Sequence, residues 1–171
     1  MEIRGAVDGD WSAIWPFFRD IVEAGESFAY PLGMTSERAR PLWMEQPPAQ
    51  TFVALVDGQV AGSAKAGPNR PGRGAHVATA SFMVDPAYAG RGVGRALAEH
   101  VLAWATAEGY RSMQFNAVVE TNTAAVALWH SLGFATIGVV PEAFDHPQHG
   151  YVGLLVMHRM LGPTAADVTG T

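Results

Sequence analysis

The 171-residue sequence contains no cysteine, which excludes disulfides, thiolate metal ligands, a cysteine nucleophile and an acyl group carried on a protein thiol. Charge is scarce as well. Asp, Glu, Lys and Arg make up 16% of the chain, below the quarter usual in soluble proteins, and 11 basic residues face 16 acidic ones. The resulting formal charge of −5 argues against a phosphate-coating surface of the nucleic-acid-binding kind, but leaves room for a local basic spot that holds one anionic ligand. No apolar run approaches the roughly 18 positions a membrane helix requires, and Met1-Glu-Ile-Arg-Gly5 has no basic patch leading into an apolar stretch. A cytoplasmic protein with neither nucleic acid nor membrane as partner is the expectation. What is present, 49% apolar residues with 19 glycines and 11 prolines, suits one sizeable core punctuated by turns. The expected organisation is one domain over 1–161 and a flexible tail over 162–171.

Ile3 to Val7 has strand character, and Asp8-Gly-Asp10 offers turn and N-cap chemistry before Trp11, Ile14, Phe17, Phe18, Ile21 and Val22, which recur at helical spacing. Ala24 to Pro31 breaks that helix, and a second begins at Thr35 or Ser36. Thr51–Val56 and Gln59–Ala64 read as strands around an Asp57-Gly58 hairpin turn, and Val77–Val84 as a strand ended by Asp85-Pro86. Ala89-Gly-Arg-Gly-Val-Gly94 then opens a helix with apolar Val93, Leu97, Val101 and Trp104, closed by Gly109. Ser112–Val119 alternates as a strand, with Met113, Phe115, Ala117 and Val119 on one face and Asn116 on the other. A short helix runs from Thr123 to Leu132 and stops at Gly133-Phe134. Strands over Phe134–Val140 and Tyr151–Met160 flank a loop, Pro141 to Gly150, long enough to bend over a pocket.

Glycines at 90, 92 and 94 let the backbone approach an anion without Cβ obstruction, and the helix behind them aims unpaired amides and a positive dipole end at the same place. Arg91 and Arg95 add charge there, so the turn reads as a pyrophosphate cradle; a tight turn with glycines for packing is the plainer alternative. A Walker P-loop is rejected because Arg95-Ala96-Leu97 stands where Gly-Lys-Ser/Thr is needed. A dinucleotide fingerprint starting at Gly90 needs glycine at 95, and although Glu120 could mimic the ribose ligand, about 50 residues after it are too few for a second mononucleotide half.

The run Phe82-Met-Val-Asp-Pro-Ala-Tyr-Ala-Gly-Arg-Gly-Val-Gly-Arg-Ala-Leu97, followed by Glu120-Thr-Asn-Thr-Ala-Ala-Val-Ala-Leu-Trp-His-Ser-Leu-Gly-Phe134, resembles the two central motifs of the GNAT superfamily of N-acetyltransferases. With the order of strands and helices, the resemblance covers roughly 3–161. Within that superfamily it is nearest to small-molecule amine acetyltransferases of the phosphinothricin type and the fungal type that acts on proline analogues. It implies an α/β (α+β) GNAT fold, a mixed and mostly antiparallel sheet splayed at its centre with helices on both faces. It implies acetyl-CoA as co-substrate, an amine as acceptor and, from the resemblance alone, a homodimer. By position, the backbone of Phe82, Met83 and Val84 would pair with the pantetheine arm. Gly90, Arg91, Gly92, Val93, Gly94 and Arg95 would bind the pyrophosphate, and Asn122 would contact the cofactor, its plain alternative being an N-cap. Ala89 departs from the pattern, where Gln or Arg is usual. Trp129 departs too: a tyrosine often found there can protonate the leaving thiolate, whereas an indole N–H is no useful acid at neutral pH.

Attack on a thioester needs a neutral amine, and for an α-amino group of pKa about 8 deprotonation at pH 7 costs roughly 1.4 kcal/mol. Positioning then matters most, with a backbone N–H near Met83 or Val84 donating to the developing oxyanion. Asn116, Thr79 and Ser81 are candidates to orient the amine, Asn116 having a buried structural amide as its alternative. Glu26, Phe28, Tyr30, His146 and Tyr151, with Glu142, belong to or flank the loops of the acceptor pocket, and Glu26 or His146 is a candidate proton acceptor. Asp145, His146 and His149 lack a helical or hairpin register that would converge on a metal, so no metal is expected. The expected activity is transfer of acetyl from acetyl-CoA to a small amine, an amino acid or its analogue. A protein or peptide N-terminal acetyltransferase and a non-catalytic acyl-CoA sensor are the alternatives.

Overall fold

The computed structural model describes residues 1–162, so all of the tail expected at 162–171 except Gly162 lies outside the described residues. In chain order the elements are β1 (Glu2–Gly5), α1 (Trp11–Ala24), α2 (Ser36–Trp43), β2 (Gln50–Val56), β3 (Gln59–Pro68), β4 (Val77–Val84), α3 (Val93–Ala107), β5 (Ser112–Val119), α4 (Thr123–Ser131), β6 (Ala135–His146) and β7 (Gly150–Met160). The seven strands form one sheet in the order β1-β2-β3-β4-β5-β7-β6. Every neighbouring pair is antiparallel except β4 with β5. The expected mixed sheet with helices on both faces is borne out.

Strand alternation sorts the core onto those two faces. On one, Trp11, Ile14, Phe17 and Phe18 of α1 and Trp43 of α2 pack on Val53 and Met83. On the other, Val93, Leu97 and Val101 of α3 and Trp129 of α4 pack on Phe52, Ala64 and Phe115. Small residues on β3 let α3 sit close. A Cβ at Gly62 would lie 2.9 Å from Val93 Cγ1 and 3.0 Å from the Met83 carbonyl oxygen, so the start of α3 is seated directly on the sheet. The β2–β3 turn is the hairpin the sequence predicts, with positive φ at both Asp57 (51°) and Gly58 (75°).

β3 extends to Pro68, past the expected end at Ala64, and three further differences from the sequence reading have a clear physical cause. Asp10 does not cap α1. Its carboxylate reaches back to accept from Arg4 Nη1 at 2.7 Å and Nη2 at 3.0 Å and from the Val7 N–H at 2.8 Å, tying the end of β1 to the entry of α1. The alternation of β5 breaks at a bulge where Asn116 and Ala117 have no partners on β7, because pairing resumes at Val118. Beyond it the faces exchange, so Val118 joins the cluster of Met113 and Phe115 while Val119 packs with Phe144 and Val152. Third, the expected loop at 141–150 is mostly strand: β6 runs to His146 across an irregularity between Val140 and Phe144, where Glu142 takes φ 51°, and a tight turn leads into β7.

The Arg4 hydrogen bonds hold the Asp10 carboxyl below the usual carboxylate range. A depressed folded pKa contributes stability that is present above the unfolded value of about 3.9 and is lost as pH falls through the folded one. Asp10→Asn should therefore lower unfolding stability at pH 7 by about 1–3 kcal/mol. In urea titrations the gap between variant and wild type should narrow below pH 4, and a gap independent of pH would rule out the ion pair as its source.

Candidate active site

The parallel pairing of β4 and β5 lasts for two residues, Val77 opposite Ser112 and Ala78 opposite Met113, and then the strands diverge. The cause lies on the α4 face. Phe82 and Phe115, which project from the two strands, meet Trp129 with ring centroids 4.9 and 4.6 Å away, and Phe134 stacks on Phe115 at 4.3 Å. This aromatic wedge, in which Phe115, Trp129 and Phe134 are buried and Phe82 is partly buried, fills the space that a closed ladder would need.

On the other side of β4 the ladder with β3 fixes which backbone groups are free. The Asp85 N–H donates to the Ala61 carbonyl at 2.9 Å and the Asn69 N–H to the Val77 carbonyl at 2.7 Å. By the two-residue period, Thr79, Ser81 and Met83 direct both backbone groups to β3, whereas Ala80, Phe82 and Val84 direct theirs into the gap. Of the backbone groups assigned to the gap from sequence, those of Phe82 and Val84 face it, those of Met83 do not, and those of Ala80 are added. The Met83 side chain is buried against α1 and α2.

The gap leads to the start of α3. Gly90 and Gly92 have φ of 72° and 78°, and Gly92 occupies the N-cap position without a side chain to satisfy the first-turn amides of Val93, Gly94 and Arg95. A Cβ at Gly90 or Gly92 would meet nothing within 4 Å, so the concave side of the turn is open, as an amide cradle for phosphate requires. Gly94 is helical, and a Cβ there would make only ordinary contacts with Val84 and Leu128. Arg91 lies over Tyr88 at 5.3 Å and 4.0 Å from Asp57, and Arg95 donates to Ser131 Oγ at 2.7 Å. Both are about half exposed, so their present pairs are weak and their charge remains accessible at the cradle.

A hollow of about 420 Å³ passes through the gap from one face of the sheet to the other. Phe82, Asn122, Ala125 and Trp129 line its α4 side; Phe28, Tyr30, Thr79, Ser81 and Asn116 line the remainder. Phe28 and Tyr30 stack nearly parallel at 5.8 Å. Asn116 is exposed at the β5 bulge, with Oδ1 accepting from Gln114 at 2.9 Å and Nδ2 donating to Asn69 Oδ1 at 2.6 Å. It is therefore no buried structural amide, and it keeps one lone pair and one hydrogen for a ligand. Asn122 does cap α4, its Oδ1 accepting from the Ala125 N–H at 3.3 Å, which leaves the NH₂ group of this hollow-lining residue unengaged.

Sequence reasoning missed an ion pair in the same hollow. Lys65 Nζ lies 3.1 Å from Glu45 Oε1 and donates to the Leu42 carbonyl at 2.6 Å. Glu45 is fixed by the chain of bonds that ends α2: Trp43 Nε1 donates to Ser63 Oγ, Ser63 Oγ to the Phe52 carbonyl, and the Glu45 N–H to Thr51 Oγ1, which donates in turn to the Trp43 carbonyl. Hairpin register could have found Lys65, which sits opposite Ser81. Nothing local marks Glu45. Of the other candidates, Glu26 and His146 line an adjoining hollow, while Tyr151, 70% exposed, and Glu142 line neither. His146 Nδ1 accepts from the N–H groups of Gln148 and His149 at 3.1 and 3.3 Å, so this nitrogen is occupied and the ring is a donor, not the proton acceptor the sequence suggested. Among the described residues no group of three or more His, Asp or Glu could hold a metal, and no helix is long and apolar enough to cross a membrane.

A parallel pair that opens into a gap, with an amide cradle at its end, defines the class, and the Acetyltransferase (GNAT) family model matches residues 14–134. The chain belongs to this family and is an N-acetyltransferase. It is 30% identical over 157 residues to N-acetyltransferase aca1 of Schizosaccharomyces pombe, an alignment covering 82% of this chain and 75% of that protein. A GCN5-related N-acetyltransferase structure from Kribbella flavida matches with a TM-score of 0.91 and 62% identity over 94% of this chain and 97% of its own. A phosphinothricin acetyltransferase from Sinorhizobium meliloti, solved in complex with acetyl-CoA, matches with a TM-score of 0.85 and 26% identity over 96% and 90%. The family expected from the two central motifs is thereby borne out.

Gly92→Val tests the cradle. The branched side chain would stand on its open side, and the left-handed backbone adds about 1–2 kcal/mol of strain. Calorimetric titration should show at least a tenfold loss of acetyl-CoA affinity, with a helical circular dichroism spectrum retained; wild-type affinity in the variant would refute the cradle.

Proposed function

We propose that the protein transfers an acetyl group from acetyl-CoA directly to the amine of a small molecule, an amino acid or amino-acid analogue. The observation that carries this reading is the convergence, in one gap, of the free edge of β4, the uncapped start of α3 and a largely apolar hollow, furnished with a few polar side chains, that is reached from the opposite face. The free N–H and C=O groups of Ala80, Phe82 and Val84 suit a pantetheine arm added as a strand, and the amides of residues 93–95 suit the pyrophosphate. Acetyl-CoA supplies an activated acetyl thioester. The protein's own task is then orientation: the Val84 N–H donates to the oxygen that gains charge during transfer, while Asn116, Thr79 and Ser81 hold the amine. Glu45, paired with Lys65, adds a carboxylate to the wall of the hollow, and the amine gives its proton to water before it attacks.

Residues 27–30 wall the hollow, which favours a small acceptor over the end of a folded polypeptide. Trp129 gives no support to a non-catalytic sensor, because its place in the aromatic wedge accounts for it. With no tyrosine there, the thiol, of pKa about 8.5, leaves as thiolate and takes its proton from water.

Release of free CoA thiol, followed across a panel of amino acids, amino-acid analogues, polyamines and peptides, tests the proposal. Turnover should be confined to the small amines; tight acetyl-CoA binding with no turnover on any amine would sink it. Asn116→Ala should lower kcat on the best acceptor by 10-fold or more while leaving acetyl-CoA affinity unchanged.

A further inference from the structure

Beside the main hollow lies a second of about 530 Å³, and the two share Ser27 and Asn122. Its walls include Glu26, the first residues of α4, and His146 and His149 from the β6–β7 turn. The nine-residue helix α4 brings two free donors to it. In its first turn the Ala125 N–H is taken by Asn122 Oδ1 and the Val126 N–H by the Asn122 carbonyl, which leaves the amides of Thr123 and Ala124 without partners among the described residues.

An independent donor comes from the opposite wall. His146 is only 6% exposed, and its Nδ1 receives two backbone N–H bonds, so Nε2 is the ring nitrogen left to donate. Nε2 has no partner among the described residues. Since no described side-chain nitrogen or oxygen is both sealed off and unpaired, Nε2 keeps some accessible surface, and His146 is one of the residues that line the hollow. The ring is held in place by Phe144 and by His149, whose centroid lies 4.6 Å away.

Two helix amides at a positive dipole end and a facing N–H call for a group that only accepts hydrogen bonds. The exposed Glu26 carboxylate on the same wall disfavours phosphates and other multiply charged anions, and tolerates a carboxylate joined to an ammonium. The geometry points to a carboxylate subsite. The acceptor's carboxylate is held by the Thr123 and Ala124 N–H groups and by His146 Nε2–H, while its amine extends past Asn122 into the gap. This assignment rests on reading the protein as an acetyltransferase of small amino-acid-like amines, and it narrows that class to acceptors bearing both groups.

The test compares an amino acid with its carboxamide, which keeps the amine and loses the charge, in wild type and variants. Wild type should favour the carboxylate. His146→Phe should cut the ratio of kcat/KM values, carboxylate over carboxamide, by about tenfold, mostly through KM. His146→Gln retains an N–H donor at a similar reach and should restore part of the ratio. Thr123→Pro removes one amide at a helix position that tolerates proline, and should lower the same ratio independently of His146. Equal losses on both acceptors in these variants would mean a merely structural role and overturn the subsite. Wild-type turnover that ignores the carboxylate overturns the subsite but leaves the acetyltransferase reading standing, whereas no turnover on any amine overturns both.

Discussion

A buried backbone amide or carbonyl must find a partner, and the organisation of this protein follows from the opening at the centre of the sheet where β4 and β5 withhold it. Ordinary ladder geometry would zip β4 to β5 along their whole length. The wedge of Phe82, Phe115 and Trp129 stops the pairing after Ala78 and Met113, so a row of strand-edge groups is left at the centre of the sheet instead of at its border. The start of α3 is pressed against the same region because β3 offers Gly62 beneath Val93 and Leu97. Free edge and free helix end are thus brought together by packing alone, before any chemistry is considered.

The two faces of the sheet contribute different things. On the α3 and α4 face, groups available to a ligand belong largely to the main chain: the amides of α3 and the outward groups of Ala80, Phe82 and Val84. On the α1 and α2 face they are side chains, among them Tyr30, Glu45, Lys65, Thr79 and Ser81. The second set is held from behind by buried hydrogen bonds, above all the Trp43–Ser63–Phe52 chain that fixes the end of α2.

What could be read in advance follows the range of the interactions involved. β4 and β5 were legible to the residue, as was the Asp57-Gly58 hairpin, because strand alternation and turn chemistry are local. The glycine turn was legible as a possible anion cradle for the same reason. The β5 bulge was not, since a period of two over eight residues gives no sign that the partner strand skips Asn116 and Ala117. The extension of β6 was hidden by Pro141 and by the turn-like residues after it, which in the fold occupy an irregularity of a continuing hairpin. Asp10 looked like a forward cap, and only the nearness of Arg4 across the first turn reverses its direction. Glu45 and Lys65 are 20 residues apart and meet through tertiary packing, beyond any reading of pattern.

An unpaired strand edge is also the feature on which proteins aggregate, because any extended chain can dock there. In this protein that edge is recessed between the residue 27–30 segment on one side and α4 on the other. Recession makes that edge harder to reach than one at the border of a sheet, because an approaching chain must enter between two walls instead of lying alongside. The same walls that leave the edge groups unpaired thus shield the protein from pairing with its own kind.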